Sequence, residues 1–85
     1  MRFRIERRTT RGDQPEGTHV VHPIVKVGKV QRLLDECVCD TIRHEGSAER
    51  VARVTYTEDR FGYHGATIEV GISTFIINAT PIGRD

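Results

Sequence analysis

The sequence predicts an α+β domain: a single two-layer unit over residues 1–85, with one central helix packed on an antiparallel sheet and elements in the order β-β-α-β-β-β. Three observations predict it. Only residues 28–46, GKVQRLLDECVCDTIRHEG, carry a helical repeat. The remainder alternates in a two-residue rhythm or is rich in turn formers. A helix of roughly 17 residues is about 25 Å long, the span of a strand of seven or eight residues, so one such helix can cover one face of a small sheet.

The first strand is expected over residues 2–8, RFRIERR, where Phe3 and Ile5 point one way and Arg2, Arg4 and Glu6 the other. Residues 9–18, TTRGDQPEGT, hold two Gly, one Pro and short polar side chains, which reads as a loop. The RGD tripeptide within it is too short a match to carry a function. Residues 19–27, HVVHPIVKV, are rich in β-branched residues and form a second strand, hairpinned to the first. Pro23 cannot donate to a ladder, so that strand lies at an edge or is broken there.

In the helix, Val30, Leu33, Leu34, Cys37, Val38, Thr41 and Ile42 share one side, and Lys29, Arg32, Asp35, Glu36, Asp40 and Arg43 the other. Gly28 is the expected N-cap and Gly46 the C′ residue, with Arg43 and His44 placed to suit the dipole in the last turn. Arg32 and Glu36 are spaced for an ion pair. Ser47 and Ala48 connect to a third strand, 49–57, with Ala52, Val54 and Tyr56 on one face. Residues 58–65 form a turn. Residues 66–71 and 74–80 make the last two strands, since Ile68, Val70 and Ile72 run in one phase and Phe75, Ile77 and Ala79 in the other, with the phase change across Ser73-Thr74. The tail from Pro81 is expected to fray.

Composition narrows the function. The chain has 85 residues, 36% hydrophobic and 29% charged, so it makes one domain with a modest core. No apolar run approaches the ~20 residues of a membrane span, and MRFRIERR lacks the apolar centre of a signal peptide, so a cytoplasmic location is expected. Cys37 and Cys39 project about 200° apart on a helix and cannot readily bond to each other. They read as one core thiol and one exposed thiol.

The sequence shows no catalytic pattern, and no cofactor, metal or small-molecule substrate is expected. His19 and His22, three apart in a strand, fall on opposite faces, and Cys39 and His44 lie some 140° apart on the helix. No CxxC or HxxxH spacing occurs, neither serine lies in a nucleophile elbow, and no Gly-rich phosphate loop precedes the helix.

A net charge of +1 argues against a protein built mainly to grip a duplex. Its distribution is uneven, with Arg2, Arg4, Arg7, Arg8 and Arg11 in the first eleven residues against Glu6 alone. Residues 60–64, Arg-Phe-Gly-Tyr-His, resemble part of the RNP1 signature of RRM and cold-shock domains, whose aromatics stack on bases. The Gly expected after the basic residue is missing, and there is no second helix, so no family follows.

Arg, Phe and Tyr outside the core pattern are the residue types that carry binding energy. The expected function is therefore a small non-catalytic protein-binding module, of the inhibitor or adaptor type that phages and mobile elements direct at a host protein. Its contact residues would be Arg2, Arg4, Arg7, Arg60, Phe61 and Tyr63, with pairing into a homodimer through an uncovered strand edge as a related route. The alternative is RNA or single-stranded DNA, bound by the N-terminal arginines and the 60–64 loop.

Overall fold

The computed structural model describes residues 1–45, 53–58 and 64–83. Strand β1 (Arg2–Arg11) turns into β2 (Gln14–Lys26); a 3-10 turn (Val27–Lys29) leads into helix α1 (Val30–Glu45); then come β3 (Arg53–Glu58), β4 (His64–Val70) and β5 (Ser73–Gly83). The strands form one antiparallel sheet in the order β2-β1-β5-β4-β3. The helix therefore carries the chain from one edge strand to the other, and the β3-β4-β5 meander brings it back to pair with β1. The α+β class and the single helix on a five-stranded antiparallel sheet are as the sequence predicts.

One face of the sheet holds the core. Phe3 and Ile5 of β1, Val25 of β2, Ala66, Ile68 and Val70 of β4, and Phe75, Ile77 and Ala79 of β5 are buried against Val30, Leu34, Cys37 and Val38 of α1. These are the alternate residues of each strand and the i, i+4, i+7, i+8 positions of the helix, the two periods a sheet and a helix must show to share a core. Leu33, Ile42, Val21 and Val54 pack half-buried at its margin. The opposite face is bare among the described residues and carries Arg4, Glu6 and Arg8 beside Thr67, Thr74, Ile76 and Asn78.

Several boundaries differ from the sequence reading. Residues 9–18 are not a loop: β1 and β2 continue through them to a two-residue turn at Gly12-Asp13, flanked by the Arg11–Gln14 pair. Gly12 adopts a φ of +58°, as the first position of a II′-type turn requires. The β4–β5 hairpin turns in the same way at Gly71-Ile72, with Gly71 at +60° and Val70 facing Ser73, so the phase change falls two residues before Ser73-Thr74. The Gly12 N–H donates to the Ile72 carbonyl at 2.8 Å and ties the two turns together.

The helix proper begins at Val30, with Gly28 inside the preceding 3-10 turn rather than at the cap. In place of the expected Arg32–Glu36 pair, Gln31 Nε2 donates to Asp35 Oδ1 at 2.9 Å and Arg43 meets Asp40 at 3.3 Å. The third strand is described over Arg53–Glu58, while residues 49–52, Gly46 and the Ser47-Ala48 connection lie outside the described residues. His64 and Gly65 belong to β4 rather than to a turn. The tail from Pro81 does not fray at once, for Pro81 pairs with Phe3 and Gly83 with Arg2.

Candidate functional site

The residues singled out by sequence do not form one surface. Arg60, Phe61 and Tyr63 lie outside the described residues. Arg2 and Arg4 are exposed on β1, whereas Arg7 shares the parity of Phe3 and Ile5 and turns in under the helix. There its Nη1 donates to Thr41 Oγ1 at 3.4 Å, and its buried Nε finds no partner. Grouping Arg7 with Arg2 and Arg4 is thus corrected by the pleat: seven is odd, and the odd residues of β1 face inward.

Edge strand β2 sets the local geometry. Its pairing with β1 slips three times, between Phe3 and Ile5, between Ile5 and Glu6, and between Thr9 and Thr10. The slip around Val21 inserts a residue, so His22 pairs with Ile5 and His19 with Arg7. Ile5 and Arg7 share a face, and so the two histidines share it as well. That overturns their expected placement on opposite faces, because a bulge resets the two-residue period. His19 and His22 line a groove of about 300 Å³ with Arg7, Glu36, Cys37 and Asp40, between β2 and α1. Among the described residues, no three His, Cys, Asp or Glu side chains are placed to hold a metal ion. Burial raises the Cys37 thiol above its ordinary 9.0 despite the nearby Arg7 guanidinium, which keeps it in its unreactive protonated form at neutral pH.

A second groove, of about 420 Å³, lies at the corner where β2 gives way to α1. The slip opposite Arg4 falls at Pro23-Ile24, where proline has no N–H to lose, and leaves Ile24 61% exposed. The 3-10 turn then swings the chain onto the sheet and sets Lys29 beside Lys26. Those are the only two lysines in the chain. Arg2 from the start of β1 and Arg32 from the first turns of α1 complete the wall, with His22 at one side. Among the described residues no carboxylate lines this groove; its apolar floor is Ile24, Val25 and Leu33. Val27, next to it in the chain, is half exposed.

Two further concave surfaces among the described residues mix charges. Along the outer face of α1, Arg32 and Arg43 alternate with Asp35, Glu36 and Asp40 around the exposed Cys39. On the bare sheet face, a shallow dip of about 90 Å³ sets Glu6 beside Arg8. The Lys26–Lys29 corner stands apart in the sign of its charge. Sequence reasoning identified Arg2 there and missed Lys26, Lys29 and Arg32. The signal available was the placement of both lysines at the strand-to-helix junction.

Among the described residues no helix is long and apolar enough to cross a membrane. No family model, curated protein or solved structure matches the chain, so the geometry alone carries the functional reading.

Proposed function

We propose that this chain is a non-catalytic docking protein that holds an acidic, partly apolar segment of another protein at the corner between β2 and α1. The observation that carries this reading is the gathering of Arg2, Lys26, Lys29 and Arg32 around one groove with an apolar floor, in a protein whose net charge is only +1. Concentrated positive charge steers an acidic partner, and each exposed ion pair adds at most about 1 kcal/mol, so charge supplies encounter and orientation. Ile24 and Val27 supply the desolvated contact that an interface needs at its centre. Among the described residues no aromatic side chain lines the groove, and stacking on aromatics is what holds unpaired bases, which supports a protein ligand over RNA or single-stranded DNA. A cytoplasmic location belongs to the same reading and is supported by two free thiols.

The test uses a fluorescent Glu-rich peptide carrying one Leu-Phe pair and, in parallel, a mixed-sequence single-stranded oligonucleotide. The peptide is expected to bind, with affinity falling at least about tenfold on Lys26→Glu/Lys29→Glu and about tenfold on Ile24→Ser, since 1.4 kcal/mol is a factor of ten. Oligonucleotide binding that falls steeply with salt and ignores Ile24→Ser would transfer the groove to nucleic acid.

A further inference from the structure

We propose that the groove between β2 and α1 binds a small zwitterion of the amino-acid type, with its carboxylate on Arg7 and its ammonium on Glu36. The proposal does not rest on the docking corner, with which this groove shares only His22.

Arg7 carries the argument. The parity of β1 turns it in under the helix, where it is half-buried and its guanidinium loses part of its water. A charge in that position is costly unless an opposite charge and a full set of hydrogen bonds compensate it. Here neither does. Nη1 donates to Thr41 Oγ1 at 3.4 Å, long for a charged donor, and that hydroxyl donates in turn to the Cys37 carbonyl at 2.8 Å. The buried Nε has no partner, and among the described residues no carboxylate comes within ion-pair distance of the guanidinium. A planar fork of N–H groups held by one slack bond is the natural seat of a carboxylate, which accepts two such donors side by side. The β1–β2 register sets His19 against Arg7 and His22 against Ile5, so two imidazoles line the same wall.

The facing wall has the opposite sign. Helix α1 brings Glu36 and Asp40, one turn apart, to the groove. Asp40 is engaged by Arg43, whereas Glu36 makes no ion pair among the described residues. The two walls therefore carry complementary charges that do not close on each other. A lone anion on Arg7 would be opposed by the carboxylates across from it, and a lone cation on Glu36 by the guanidinium. A molecule with both charges on one short skeleton satisfies both walls. The groove, at about 300 Å³, lies at the small end of the range for ligand sites, and Val21 and Cys37 give the skeleton an apolar surface.

The test is a titration of the 15N-labelled full chain with free amino acids of each side-chain class at millimolar concentration. At least one should move the Arg7 Nε–H resonance together with the backbone amides of His19, His22 and Glu36. For the strongest binder, the N-acetyl derivative and the carboxamide each lack one charge and should each bind at least about tenfold more weakly. Glu36→Gln, at an exposed helix position that leaves the core untouched, should weaken binding about tenfold. Arg7→Lys keeps the charge without the fork and should also weaken it about tenfold. No shift with any amino acid, acetate bound as tightly as the zwitterion, or Glu36→Gln binding as well as the native chain would overturn the proposal.

Discussion

Strands β2 and β3 close the same sheet in opposite ways. The β2 edge is long, bears Pro15 and Pro23, and slips against β1 three times; the β3 edge is short and regular. Each slip of β2 forfeits ladder hydrogen bonds but re-aims side chains, turning His19 and His22 inward together and pushing Ile24 outward. Two grooves of the protein accordingly lie along β2. Regular β3 keeps its ladder with β4 unbroken from Arg53 to Glu58. An irregular edge builds concave chemistry, and a regular edge keeps every pairing of its ladder.

The helix is common to both edges, and breaking it should erase the difference between them. Leu34 is fully buried between the helix and the sheet. Leu34→Asp strands a carboxylate there and removes an apolar contact worth roughly 2 kcal/mol, with the cost of the unpaired charge on top. A domain of this size has little stability to spare. The variant is expected to lose its cooperative melt by circular dichroism, and a folded Leu34→Asp would mean that another face of the helix meets the core.

A finer probe truncates one valine at each edge. Val25 of β2 is 3% exposed, while Val54 of β3 lies at the margin of the core. Val25→Ala should cost about 2 kcal/mol and Val54→Ala less than about 1, read from urea midpoints at low protein concentration. Equal costs would show that α1 covers β3 as fully as β2.

These two edges were not equally legible in the sequence. The helix was, because Val30, Leu34, Cys37, Val38 and Thr41 repeat at 3.6 residues and all prove buried. The inward turn of Arg7 was legible too, from simple parity with Phe3 and Ile5. The outer halves of β1 and β2 were hidden because Thr9, Thr10, Arg11, Gln14 and Glu16 have little or nothing to bury, and a polar strand tip reads like a loop; the Gly12-Asp13 pair was the turn signal within it. The Val21 slip had no marker at all. A bulge is a property of two strands in register, and counting by twos along one strand cannot find it. For the same reason the cationic corner was out of reach: Arg2 and Arg32 are thirty residues apart and meet only because β1 is paired with β2.

The smallest effect tests the comparison from the two sides of α1. Cys37 faces β2, near Arg7 and Thr41, and is buried; Cys39 faces β3, near Tyr56, and is exposed. Maleimide should therefore label Cys39 in the native protein and reach Cys37 only on unfolding, as mass spectrometry of the labelled peptides will show. The pH dependence follows the same division. Burial raises the Cys37 thiol above 9.0, with Asp40 adding to the rise and Arg7 and Thr41 opposing it. Its stabilising preference for the protonated form is complete below pH 9.0 and is lost as pH climbs through the folded-state value, because the unfolded chain ionises first. Whatever advantage the native chain holds over Cys37→Ala at pH 7 should shrink in urea melts as pH rises above 9.0. A gap for Cys37→Ala that stays constant with pH would place its thiol in water and turn the helix away from the β2 edge.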